Sequence, residues 1–251
     1  MKKLMAANWK MYKTRDEAEQ TARGLVGLVA GRIPADREVL VIPPFTALSV
    51  VARELAAIPG FSLGAQNFYP AAQGAFTGEI APDMLLDLGC AYALAGHSER
   101  RHVLGESDAF VGRKVAFGLA AGLRMILCVG EKIEERQAGL VREVVKRQLD
   151  AGLSDVVPDV HPETLVVAYE PVWAIGTGLT AGPADVAEAH GFVREMLRAR
   201  YGEKGNEVRI LYGGSVKPEN SGEIIGIDNV DGVLVGGASL RAESFAAIAL
   251  A

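Results

Sequence analysis

The chain is poor in several things, and each shortage excludes something. Two cysteines, Cys90 and Cys128, stand far apart in 251 residues and form no CxxC pair. A disulfide scaffold is therefore not expected, and a reducing compartment suits the chain. No apolar run approaches the ~18 residues of a membrane-spanning helix. Lys2 and Lys3 precede only a short apolar stretch, which Asn8 and Lys10 interrupt, so no signal peptide is expected. Basic residues are outnumbered, 26 Lys and Arg against 31 Asp and Glu, and no Lys/Arg block occurs. Nucleic acid and membrane partners are not expected on that balance. There is no GxGxxG, no GxxxxGK[ST], no HExxH, no cysteine ligand set and no paired Asp cluster, so no nucleotide cofactor or metal is called for. These shortages describe a soluble, cytoplasmic protein.

What the chain does have is alternation. Hydrophobic residues make up 49% and charged residues 23%, an ordinary globular balance. Eight short apolar runs fall at 4–9, 39–43, 61–66, 92–96, 125–129, 165–169, 208–212 and 233–235. Between them lie stretches of helical period, such as 142–149 and 185–201, where Val186, Ala189, Val193 and Leu197 recur. Strands alternating with helices imply βαβ units and a parallel sheet. The runs are apolar throughout, as in a sheet covered on both faces. An open doubly wound sheet and a closed barrel both fit. Eight units in 251 residues favour a single α/β (β/α)8 TIM barrel, and no linker divides residues 1–251 into two domains. The six methionines follow no stripe and read as core filler, Cys128 as an inert buried thiol, and Trp9 and Trp173 as packing residues.

In such barrels chemistry sits at the carboxyl ends of the strands. The polar residues there are Asn8 and Lys10, Gln66 and Asn67, His97, Glu131, Glu170 and Ser215, in strand order. Any one of them alone is more often a solvated loop residue or a structural histidine. Their shared end of the barrel is what raises them. Gly213-Gly214 and Gly236-Gly237 close the last two strands. Glycine there lets backbone N–H groups approach an anion, and a phosphate site after strands 7 and 8 recurs in barrels. The stretch "AYEPVWAIGTGLTAGP" (168–183) is unusual: an apolar strand ends in a carboxylate, Glu170, followed at once by Pro171 and then by a glycine-rich loop.

"AANWKM" (6–11), "GAQN" (64–67), "GAFTGE" (74–79), "AGHSERR" (95–101), "LCVGE" (127–131), "AYEPVWAIGTG" (168–178), "YGGSV" (212–216) and "LVGGASL" (234–240) stand in order along the whole chain. Together they resemble the triosephosphate isomerase family. The resemblance implies a cofactor-free interconversion of dihydroxyacetone phosphate and D-glyceraldehyde 3-phosphate through an enediol. It implies Glu170 as base, His97 as electrophile and proton shuttle, Lys10 as positive charge, Asn8 as its orienter, and Glu99 as a neighbour of less defined role. Gly176, Ser215, Gly236 and Gly237 would hold the phosphate. Pro171, Val172 and Trp173 would be one hinge of a lid and Leu179, Thr180 and Ala181 the other, with Glu131 anchoring the Trp173 indole. Thr77 would reach a partner subunit, which implies a homodimer.

The chain departs from the family pattern at Tyr12, Leu179 and Ala95, none of which removes a catalytic group. Two other readings remain at this level: a Schiff-base aldolase with Lys10 as nucleophile, and a non-catalytic phosphate-binding barrel. The second has no use for Glu170, His97 and Lys10 together.

Overall fold

A computed structural model describes residues 1–175 and 181–251. In chain order the main elements are β1 (Lys3–Asn8), α1 (Arg15–Val29), β2 (Arg37–Ile42), α2 (Leu48–Leu55), β3 (Phe61–Ala65), α3 (Pro82–Asp87), β4 (Cys90–Ala95), α4 (Ser98–His102), α5 (Asp108–Ala121), β5 (Arg124–Val129), α6 (Ile133–Gln137), α7 (Val141–Gly152), β6 (Leu165–Tyr169), α8 (Pro183–Tyr201), β7 (Arg209–Tyr212), α9 (Pro218–Ile225), β8 (Gly232–Val235) and α10 (Ala242–Leu250). The strands pair in parallel in sequence order, and β8 returns to pair with β1, for example Val233 with Met5. The sheet is therefore closed, and the open-sheet alternative falls. Among the described residues no helix is long and apolar enough to cross a membrane.

Side chains alternate across the sheet, so each strand feeds two cores. Leu4, Ala6, Leu40, Ile42, Tyr92, Leu94, Ile126, Cys128, Val166, Ala168, Leu211 and Leu234 fill the barrel. Met5, Ala7, Val39, Val41, Ala93, Leu127, Val167 and Ile210 face outward and pack under the helices. Both faces are dry, which is why the strands read as unbroken apolar runs. The same alternation aims the site: Asn8 follows Leu4 and Ala6 on the inward rail, and Glu170 follows Val166 and Ala168.

The foot of the barrel is closed by polar groups. Glu38 accepts from Ser62 Oγ at 2.9 Å, from Tyr92 at 3.1 Å and from Arg209 Nη1 at 3.0 Å, while Arg209 Nη2 donates to the Tyr92 hydroxyl at 2.7 Å. This end carries stability rather than chemistry.

Four of the expected runs end one residue past their strands, and five begin one or two residues late. Pro43 has no N–H for the ladder, and Gly96 leaves β4 at φ +74°. Trp9 is fully buried in the outer core. The methionines depart from their reading as core filler: Met5 and Met125 are buried, but Met11 is 94% exposed. Met11 follows Lys10 in the loop after β1, where backbone position and not core demand sets the side chain's direction. Both thiols are buried, and burial pushes Cys90 up to about 12 and Cys128 well above its ordinary value.

His190 on α8 links buried chemistry to pH. It is fully buried, edge-on to Tyr169, and its Nδ1 donates to the Asn229 carbonyl at 2.9 Å. Nε2 has no partner among the described residues, which suits a neutral ring. Burial, helped by the charge of Arg194, lowers its pKa from 6.5 to about 4. The unfolded chain therefore takes up this proton first as pH falls. The stability His190 contributes is complete above pH ~6.5 and is lost as pH drops toward ~4, a change of about 3 kcal/mol. His190→Gln should flatten this dependence: its Tm difference between pH 7 and pH 4.5 should be smaller than that of the unsubstituted chain. Equal differences in thermal melts would contradict the assignment.

Candidate active site

The site lies at the carboxyl end of the barrel, in a cavity of about 480 Å³ lined by Asn8, Lys10, His97, Glu170, Ser215, Gly236 and Gly237 together with Tyr12, Gly213, Gly214, Lys217 and others. Sequence positions from 8 to 237 thus converge on one space.

Lys10 sits in a left-handed conformation, φ +52°, at the turn that ends β1. Such a residue is strained unless its surroundings hold it. Here Asn8 Oδ1 accepts the Lys10 N–H at 3.0 Å, and Gln66 Nε2 donates to the Lys10 carbonyl at 2.8 Å. The buried Asn8 therefore orients the lysine through its backbone. The ammonium pairs with Glu99 at 2.5 Å, with Glu99 itself about half exposed. A Cβ on Gly236 would stand 3.1 Å from Lys10 Cε, so glycine there clears the lysine's path.

His97 caps α4. The positive φ of Gly96 turns the chain out of β4, and a Cβ there would fall 2.6 Å from Arg101 Nη2. The Glu99 N–H donates to His97 Nδ1 at 3.3 Å, which leaves Nδ1 without a proton of its own. The ring proton then belongs on Nε2, which faces Glu170 Oε1 at 3.1 Å. The imidazole is thus neutral in this arrangement, with a donor aimed into the cavity.

Glu170 is 2% exposed. Oε2 accepts the Ser98 N–H at 2.9 Å, and Oε1 meets His97. Its backbone is fixed by Glu170 N–H to Val129 O at 2.7 Å, and the neighbouring Tyr169 carbonyl accepts the Gly213 N–H at 2.8 Å. Gly213 makes room for it: a Cβ there would lie 2.8 Å from Glu170 Cγ. Gly213→Ala should therefore displace the carboxylate and lower kcat about 10- to 100-fold with KM little changed. Wild-type kcat in a folded Gly213→Ala protein would contradict that reading.

Beyond Glu170, Pro171 leads into a single 3-10 turn over Val172–Ala174. Glu131 is fully buried and anchors this segment. It accepts from Trp173 Nε1 at 2.8 Å and from the Tyr169 hydroxyl at 3.0 Å, and its carbonyl takes the Val172 N–H at 3.1 Å. Burial, then the Glu131 charge, pushes the Tyr169 hydroxyl's pKa up. Ala181 donates its N–H to Tyr212, whose hydroxyl burial raises to about 12. Gly176, Leu179 and Thr180 lie outside the described residues. Thr77 is not at the cavity; it sits exposed in the loop between β3 and α3.

Sequence reasoning missed Ser98, whose backbone N–H holds Glu170, and the role of Gln66 in pinning Lys10. Both stand inside quoted motifs, but a main-chain donor leaves no mark in residue type. Lys217, exposed at the cavity rim, followed no apolar run and gave no signal.

A closed parallel barrel with a buried carboxylate, a neutral imidazole and an ammonium at the carboxyl ends of its strands defines the class: a (β/α)8-barrel acid–base enzyme. The chain matches the sequence model of the family "Triosephosphate isomerase" over residues 3–251. It is 62% identical to a triosephosphate isomerase of Nitratidesulfovibrio vulgaris across the full length of both chains. It is 54% identical to that of Chloroflexus aurantiacus, with 96% of each chain covered, and 46% identical to that of Aquifex aeolicus, with 99% of this chain and 98% of the other covered. The chain belongs to the triosephosphate isomerase family.

Proposed function

We propose that Glu170, His97 and Lys10 carry out the family's reaction in this chain, the interconversion of dihydroxyacetone phosphate and D-glyceraldehyde 3-phosphate. Glu170 takes a proton from the carbon beside the carbonyl. The electron pair moves toward the carbonyl oxygen, giving an enediolate. The Nε2 proton of His97 hydrogen-bonds that oxygen and passes between the two oxygens, and Glu170, whose carboxyl proton exchanges with solvent while it is held, gives a proton to the neighbouring carbon. Lys10 stabilises the developing negative charge, usually the largest catalytic contribution. Glu99 holds the ammonium and Asn8 fixes its backbone. Ser215, Gly236 and Gly237 receive the phosphate, and Gly176 is a further proposed phosphate contact. The supporting observation is the pairing of Glu170 Oε1 with His97 Nε2 at 3.1 Å while Nδ1 accepts a backbone N–H. Base and neutral donor then stand on one face of the cavity, as an enediol route needs.

Glu170 bonds Ser98 and His97 in this structure, so it must leave at least one of them to reach a carbon proton. The stretch from Pro171 to Ala181 serves as a lid. Its purpose is to exclude water, because an enediol phosphate exposed to solvent loses phosphate. The reaction belongs to glycolysis and gluconeogenesis, which suits a cytoplasmic protein, and needs no cofactor. Residues 1–251 act as one domain, a reading supported by the closure of β8 on β1. A homodimer is the proposed assembly, supported by the exposed Met11 and Tyr12 after β1 and by the exposed Phe76, which precedes Thr77 in the loop between β3 and α3.

The test is direct. D-glyceraldehyde 3-phosphate is added to the protein with EDTA and no cofactor, and dihydroxyacetone phosphate is followed with a coupled reductase. Turnover that is lost in Glu170→Ala supports the reading. No turnover by the folded protein would favour the non-catalytic phosphate-binding barrel.

A further inference from the structure

We infer that Arg136 is a positioning residue for this reaction, fastening the segment after the catalytic base to the first turn of α8 through Asp185. This rests on the isomerase reading above.

Arg136 lies on the short helix α6, outside the cavity of the reacting groups. Its guanidinium meets three partners at once. Nη2 pairs with Asp185 Oδ1 at 2.5 Å, Nη1 reaches Glu131 Oε1 at 3.4 Å, and the group stacks on the Trp173 ring at 4.8 Å. Trp173 stands three residues after Glu170 and donates to the same Glu131 oxygen. Asp185 uses its other oxygen to accept the Gly182 N–H at 3.1 Å, which fixes the entry to α8. One planar cation thus joins the residues on either side of 174–182, the stretch that separates the base from α8.

The energetics divide the roles. Glu131 is a fully buried carboxylate, and Arg136 supplies it with a cation, so removing the whole guanidinium also threatens the fold. Asp185 is 38% exposed on its side chain, and such a pair adds little to stability. Its value is positional. Asp185→Asn keeps an acceptor for Gly182 and loses the charge, so it separates the clamp from the cap. Arg136→Lys keeps the charge but cannot reach Asp185, Glu131 and the ring together, because an ammonium is a point charge without the planar fork.

The readout is the fate of the intermediate. If the segment after Glu170 or the entry to α8 is misplaced, water and free rotation reach the enediolate. Its oxygen re-forms a carbonyl, the C=C pair shifts by one bond, and the C–O bond to phosphate breaks. Inorganic phosphate leaves with an enol that tautomerises to methylglyoxal. Loss of global stability alone does not move this ratio. We expect Asp185→Asn and Arg136→Lys each to raise phosphate released per isomerisation about tenfold, with the double variant no worse than the worse single, as for residues acting through one contact. Thermal melts should place Asp185→Asn within a few degrees of the parent. A folded Asp185→Asn protein with the parent's ratio would overturn the inference, as would single effects that add in full. No isomerisation by the parent chain would instead sink the functional reading beneath it.

Discussion

Glu170→Asp is expected to lower kcat by about 10²- to 10³-fold while KM changes by less than about threefold. The shorter side chain withdraws the carboxylate by one methylene, and nothing around it can follow. The residue's N–H is bound to Val129, Pro171 restricts its backbone on the other side, and Gly213 packs against its Cγ. Substrate still finds Lys10 and the glycine turns, so binding is kept while the proton transfer lengthens. Steady-state kinetics in both directions check this. Unchanged turnover would remove Glu170 from the role of base, and a loss confined to KM would make it a binding group.

Lys10→Ala is expected to lower kcat/KM by about three orders of magnitude or more, because it removes the charge aimed at the developing oxyanion. The fold should survive. Among the described residues Nζ pairs only with the half-exposed Glu99, and the main-chain bonds to Asn8 and Gln66 do not use the side chain. Circular dichroism and melting would show a folded protein within a few degrees of the parent. If the variant unfolds instead, the lysine's part is structural. An aldolase with Lys10 as nucleophile would form a borohydride-trappable adduct with substrate. The ion pair at 2.5 Å favours a charged ammonium over the free amine that route needs.

The barrel was legible because its cause is local. A strand buried on both faces must be apolar at every position, and eight such runs with helical spacers leave few topologies. The positions of Asn8 and Glu170 were legible for the same reason, since each ends a run. Strand edges were not, because Pro43 and Gly96 act through a missing donor and a positive φ while still looking apolar. The Glu131–Trp173 bond was anticipated only through the family motif, across 42 residues of sequence. Arg136 and Asp185 gave no signal: both are ordinary surface types, 49 residues apart, and only the fold brings the two side chains together. Main-chain donors such as the Ser98 N–H are invisible to any reading of side-chain type. Met11 was misread because methionine suggests a core, whereas its exposure follows from the turn that aims Lys10.

The central claim is proton transfer through Glu170, and isomerisation in deuterium oxide tests it most directly. D-glyceraldehyde 3-phosphate is converted by the protein in that solvent and the product is read by NMR. Carbon-bound deuterium in dihydroxyacetone phosphate, lost together with turnover in Glu170→Gln, is the predicted result. Turnover and deuterium incorporation that persist in Glu170→Gln would place the base elsewhere and contradict the account.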